Sequence, residues 1–155
     1  MSAGLSRVTV YDLLAIVMPS SRPGHRTTAS DTASDALCVL VVEDDELVRE
    51  ATVGNVVDLG HRVLEAADAD AALQIIDGGA AVDVLFTDVR LPGKDGSQLA
   101  REARQRRPTL KVILTSGGPA PDTPANGAGG AVWLGKPYKW DDLKRAFALV
   151  DERHR

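Results

Sequence analysis

From residue 37 onward, short apolar runs alternate with segments whose apolar residues recur at helical spacing. Residues 37–42 (LCVLVV) form a continuous apolar run, the pattern of a strand buried on both faces of its sheet. Residues 46–59 follow, with Val48, Ala51, Thr52, Val56 and Leu59 at helical spacing, and Gly60 stands where a helix-ending residue belongs. Residues 61–67 (HRVLEAA) read as a second strand, and Asp68 is placed to cap a helix over Ala69–Asp77 that Gly78 and Gly79 end. Residues 82–87 (VDVLFT) predict a third strand that delivers Asp88 at its C-terminal end. A third helix is expected over 97–107, where Arg104, Arg106 and Arg107 suit the negative end of the helix dipole and Pro108 stops the chain. Residues 111–115 (KVILT) and 131–134 read as the fourth and fifth strands. A closing helix over 141–152 places Leu143, Ala146, Phe147 and Val150 on one face.

Five strands alternating with helices predict an α/β fold, a doubly wound parallel sheet covered on both faces. One stretch breaks the rhythm. Residues 117–130 (GGPAPDTPANGAGG) hold three prolines and several glycines, so the fourth helix is expected to be shortened or replaced by a loop. Ahead of the sheet, residues 19–36 are rich in Ser, Thr, Pro and small residues without periodicity, the composition of a linker. The chain therefore divides into a flexible N-terminal extension, 1–36, and one domain, 37–155. Residues 8–18 are apolar enough to form a short element, for docking or dimerisation, but a disordered leader is the simpler reading.

Composition narrows the class. At 155 residues there is room for one domain plus a short segment, enough to bury a core without disulfides. Net charge is −4, so nothing global draws the chain to nucleic acid or to an anionic membrane. The single cysteine, Cys38, lies in a strand-like run and reads as a small buried hydrophobe. No stretch reaches the roughly 18 apolar residues of a membrane span. Asp12 interrupts the apolar start, and no convincing cleavage site follows it. A cytoplasmic protein is the expectation.

Ligands of open parallel sheets sit beyond the carboxyl ends of the strands, near the point where strand order reverses. Glu43 and Asp44 follow the first strand and Asp88 the third. Carboxylates gathered there repel one another unless a cation joins them, and hard oxygen ligands with room for water suit Mg²⁺. Ser116 and Lys136 fall at the same edge, after strands four and five. A hydroxyl and an ammonium facing a carboxylate make a phosphoryl-sized slot, with Asp88 as the nucleophile. Singly, each feature has a plainer reading. The run 43–46 (EDDE) suits a helix N-terminus, Asp88 a turn, and Lys136-Pro137 a solvated corner. Jointly the plain readings fail, because four strand ends would have to present a matched set by chance.

The segments VLVVEDDE (39–46), FTDVRLPGKDG (86–96), VILTSG (112–117) and WLGKPY (133–138) resemble, in order, the motifs of bacterial response-regulator receiver domains. The resemblance covers about residues 37 to 152 and implies a flavodoxin-like strand order, 2-1-3-4-5. It implies that Asp88 accepts phosphate and that Asp44 binds Mg²⁺ directly, Glu43 through water and Arg90 through its backbone carbonyl. It further implies Ser116 as the switch hydroxyl, with Thr115 the neighbouring register, and Lys136 as the phosphate-pairing lysine before a cis proline. Trp133 would be the aromatic switch, against the plainer reading of a partly exposed surface aromatic. Such a chain is a phosphoacceptor that catalyses its own phosphorylation and dephosphorylation, not an enzyme with a separate substrate. The implied partners are a histidine kinase or histidine phosphotransfer protein and a downstream protein. Where many relatives carry a fourth helix, 117–130 suggests output through an order–disorder change.

Other readings are weaker. A phosphorylation-independent interaction module need not keep the acidic pair, Asp88, Ser116 and Lys136 together. A haloacid-dehalogenase-type hydrolase needs an acid two positions after its nucleophile, where this chain has Arg90. Flavin binding would require a Ser/Thr-rich phosphate loop after Val42, and none follows.

Overall fold

The apolar runs become five strands: β1 (Cys38–Val42), β2 (Arg62–Ala66), β3 (Val84–Asp88), β4 (Lys111–Ser116) and β5 (Val132–Gly135). A computed structural model describes residues 36–119 and 130–152. Among these lie four helices: α1 (Glu46–Asp58), α2 (Ala69–Asp77), α3 (Gly96–Arg106) and α4 (Trp140–Glu152). Every strand pairing is parallel, and the order is β2-β1-β3-β4-β5, the flavodoxin-like order expected. The readings of 1–35 and of 120–129, including a fourth helix shortened or replaced by a loop, lie outside the described residues. Among the described residues no helix is long and apolar enough to cross a membrane.

Alternation along the strands sends side chains to two cores. Leu40, Val42, Leu85, Val112 and Leu114 pack on one face, against Ala72, Leu73 and Ile76 of α2 and Leu99, Ala100 and Ala103 of α3. Val39, Val41, Val84, Phe86, Ile113 and Leu134 pack on the other, against Val53 and Val56 of α1 and the inner face of α4. Each large side chain so buried contributes about 1.5–3 kcal/mol of hydrophobic stabilisation, and none of these strands tolerates a polar face. The inner face of α4 is Leu143, Ala146, Phe147 and Val150, the set expected from spacing alone. Cys38 is buried.

Helix α1 corrects its expected face. Thr52, Val53 and Val56 are buried, whereas Val48 and Ala51 are exposed and Leu59 is half-buried. Apolar residues lie almost all round this helix, Leu47 included, so spacing alone cannot choose the inward side. Caps agree with expectation. Asp68 accepts from the Ala71 N–H at 2.7 Å, and Gly60 takes φ +91° just beyond α1. Several ends move by one or two residues. The largest shift is at β3, which starts at Val84; Asp83 just before it ties to β1, its Oδ2 accepting from the Cys38 N–H at 2.8 Å.

His61 closes the opposite end of the sheet from the acidic edge. Its Nδ1 accepts from the Leu37 N–H at 3.3 Å, and its ring lies 4.8 Å from that of Phe147. Burial holds its pKa below the ordinary 6.5, against the opposing pull of Asp151. Because the folded chain resists the proton that the unfolded chain accepts, this contribution is fully present above about pH 6.5 and is lost as pH falls toward the depressed folded value. Urea titrations should show wild type losing stability below about pH 6.5 more steeply than His61→Gln, which keeps an acceptor but no proton. Parallel pH profiles would refute the assignment.

Candidate functional site

The chain leaves β1 through three consecutive acids with three different fates. Glu43 is 6% exposed; its N–H donates to the Ala66 carbonyl at 3.2 Å, and its Oε1 accepts from the Asp45 N–H at 3.2 Å. Asp44 faces solvent. Asp45 is the N-cap of α1, its Oδ1 accepting from the Val48 N–H at 3.1 Å. The helix-start reading of the acidic run thus holds for Asp45, while Glu43 and Asp44 remain at the sheet edge.

Asp88 ends β3 with both oxygens engaged. Oδ1 accepts from the Arg90 N–H at 2.9 Å, and Oδ2 accepts from Lys136 Nζ at 2.7 Å. The same ammonium donates to Glu43 Oε2 at 3.2 Å. The Thr87 hydroxyl donates to the Asp88 carbonyl at 3.0 Å, and the Val89 N–H reaches the Thr115 carbonyl at 2.9 Å, so the strand end is pinned on two sides. Lys136 comes from the loop after β5, where its N–H donates to the Ser116 carbonyl at 2.7 Å and its bond to Pro137 is cis.

Two neighbouring hydroxyls end β4, on opposite faces. Thr115 is buried and directs its hydroxyl back to the Thr87 carbonyl, at 3.5 Å. Ser116, paired with Gly135, is the outermost, and its Oγ accepts from the Gly118 N–H at 3.0 Å. Trp133 is half-buried and packs on the core beneath α2 and α3, with its indole Nε1 buried and without a hydrogen-bond partner among the described residues. Arg90 is exposed and contributes a backbone N–H to Asp88.

Electrostatics follow from this packing. Burial raises the Glu43 carboxyl above its ordinary range, although the Asp45 N–H and Lys136 pull the other way. Burial alone would lower Lys136, but its hydrogen bonds to Asp88 and Glu43 and their charges prevail and raise it. An ammonium so held stays charged at any physiological pH. Three carboxylates share the edge with this one ammonium, and the excess negative charge suits a divalent cation. Among the described residues no three His, Cys, Asp or Glu side chains form a preformed metal cage. Mg²⁺ does not need one, since it is held through one or two carboxylates and keeps several waters. Carboxylate and carbonyl oxygens, the donor types that Glu43, Asp44, Asp88 and Arg90 bring to this edge, are the ones such an ion takes.

Three further contacts at this edge are not evident from residue order. Arg49 Nη1 donates to the Glu43 carbonyl at 2.9 Å. Gly96 N–H donates to the Val89 carbonyl at 2.8 Å, so its backbone presses against the end of β3. The Tyr138 hydroxyl lies 3.4 Å from the Thr52 hydroxyl, joining the loop after Lys136 to α1. A faint signal exists for the second alone, in the glycine that closes PGKDG.

The family model for the response regulator receiver domain matches residues 39–148. The response regulator protein FleR of Pseudomonas aeruginosa is 37% identical over 115 residues, 73% of this chain and 23% of that protein. The receiver domain from the hybrid histidine kinase CckA superposes with a TM-score of 0.62 at 33% identity, over 73% of this chain and 98% of that domain. The Vibrio cholerae chemotaxis protein CheY4 superposes with a TM-score of 0.67 at 24% identity, over 74% of this chain and 98% of that one, and shows the same fold. This chain spans less than half the length of the curated relatives it matches. With the sheet order, the acidic edge and the family match in agreement, the chain belongs to the response regulator receiver domains of two-component signal transduction.

Proposed function

We propose that the chain is a phosphoacceptor in which Asp88 takes a phosphoryl group from a phosphohistidine. The observation that carries this reading is the Lys136 ammonium, 2.7 Å from Asp88 and 3.2 Å from Glu43. A carboxylate oxygen of Asp88 attacks phosphorus, the new P–O bond forms as the P–N bond breaks, and the imidazole leaves with the electron pair and takes a proton. Water attacking the same phosphorus later restores the carboxylate and releases inorganic phosphate. Catalysis is positioning and charge neutralisation, because the transferring group brings its own reactivity.

Lys136 supplies positive charge where equatorial oxygens gather negative charge, and the fixed Arg90 N–H holds the other Asp88 oxygen in place. Ser116 donates its hydroxyl to a phosphoryl oxygen on leaving the Gly118 N–H, and Trp133 follows inward as the switch aromatic. Receiver domains generally bind Mg²⁺; here Asp44 and Asp88 would hold the ion directly, Glu43 through water and Arg90 through its carbonyl. The ion would neutralise the phosphoryl oxygens and the crowded carboxylates. The donor is a histidine kinase or a histidine phosphotransfer protein, and output passes by protein–protein contact in the cytoplasm. Sensor kinases are among the similar proteins, CckA of Brucella abortus being 40% identical over 90 residues.

Incubation with acetyl phosphate and Mg²⁺ should add one acid-stable, base-labile phosphate, and Asp88→Asn should add none. Labelling that survives in Asp88→Asn would reject Asp88 as the acceptor, and a wild type that takes up no phosphate would favour a phosphorylation-independent module.

A further inference from the structure

We propose that Arg49 is a positioning residue for the acidic edge, setting the direction in which Asp44 is presented. The inference rests on the reading of this edge as a Mg²⁺ site. Arg49 is the half-buried cation one turn into α1, and its Nη1 donates to the Glu43 carbonyl at 2.9 Å. That carbonyl and the Asp44 N–H belong to one planar peptide unit. Fixing the oxygen therefore fixes the plane from which the Asp44 Cα–Cβ bond departs.

The rest of the loop needs this anchor. Glu43 is tied by its N–H to Ala66, and by its carboxylate to the Asp45 N–H and Lys136. Asp45 is tied to α1 through the Val48 N–H, at 3.1 Å, and through its own carbonyl, which accepts from the Arg49 N–H at 2.9 Å. Asp44 is tied less firmly: it is exposed, and its carboxylate meets the neighbouring Glu43 carboxyl rather than a backbone N–H among the described residues. The guanidinium thus closes a ring from β1 through the acidic loop to the first turn of α1.

Two roles for Arg49 predict opposite signs. If it acted only as a nearby positive charge, removing it would relieve repulsion and tighten binding of a divalent cation. If it positions the ligand loop, removing it weakens binding, and partners of metal ligands typically cost tenfold or more when lost. Titrating the full chain with MgCl₂, with Kd read from amide chemical shifts, decides between them. Arg49→Ala should bind Mg²⁺ about tenfold more weakly than wild type while its amide spectrum away from residues 43–49 stays native, and Arg49→Lys should recover part of the loss. Should Arg49→Ala fail to fold, Arg49→Met, which keeps the aliphatic stem, carries the same test. Unchanged or tighter binding in the folded variant overturns the proposal. A wild type that shows no Mg²⁺-dependent shifts overturns it together with the ion site itself, whereas a weakened variant beside a binding wild type supports both.

Discussion

Lys136→Met is expected to slow phosphorylation of Asp88 from a small phosphodonor by about 10²–10³-fold, the range for losing one preorganised donor at a developing anion. Methionine keeps the unbranched stem and removes the ammonium that touches Asp88 Oδ2 and Glu43 Oε2 together, at 2.7 and 3.2 Å. The side chains are 28%, 14% and 9% exposed, so the carboxylates left behind are screened only in part. Stability without Mg²⁺ should fall by about 1–3 kcal/mol, below the full cost of breaking a buried pair because solvent reaches the edge. The sign for the ion is opposite to that for the rate. With its competitor gone, Mg²⁺ should bind the variant more tightly and restore part of the lost stability. A variant phosphorylated at the wild-type rate under saturating Mg²⁺ would show that the ammonium does not act in the transition state.

The second large effect is expected from the smallest substitution, Gly96→Ala. A Cβ built on Gly96 overlaps the Asp88 carbonyl oxygen and lies 3.0 Å from both the Asp88 carbonyl carbon and the Val89 Cα. All three are backbone atoms of the strand end that presents the phosphoacceptor, so no side chain can swing aside. Either α3 gives up its first turn, with the Asp95 cap on Gln98, or the end of β3 moves. Overpacking of this kind costs about 1–3 kcal/mol, and more where backbone must shift. The denaturation midpoint should drop accordingly, and phosphorylation should slow even in the folded fraction. Wild-type stability with wild-type phosphorylation would mean that the loop from Val89 to Asp95 relaxes freely, contrary to the Gly96–Val89 hydrogen bond at 2.8 Å.

These expectations differ in how far they could be read from residue order. Asp88 and Lys136 stand out because their types are chemically expensive at strand ends, and because matched types recur at the ends of β1 and β4. Gly96 is visible only as one more glycine in a loop. Its close approach exists because α3 turns back onto β3, which the local sequence does not encode. Arg49 looks like any cation in the first turn of a helix until the carbonyl it reaches, six residues earlier, is placed in space.

The helices divide in the same way. In α4 the apolar residues fall on one side, so spacing alone identifies Leu143, Ala146, Phe147 and Val150 as core. In α1 they surround the axis, and only packing on the sheet selects Thr52, Val53 and Val56 over Val48 and Ala51. The acidic run was open for a related reason. A carboxylate at this boundary can cap a helix or face a ligand, and the structure gives the first task to Asp45 and leaves Glu43 and Asp44 at the edge.

By itself, then, the amino-acid order determined the succession of elements, the parallel architecture and the strand ends at which reactive groups stand. Those depend on period, caps and breakers, all of which act within a few residues. Tertiary structure decided which side of α1 turns inward, which acid caps and which faces the site, and which backbone groups hold Asp88 and Glu43. Such choices depend on contacts between residues up to 93 positions apart, as Lys136 and Glu43 are, and no local pattern carries that information.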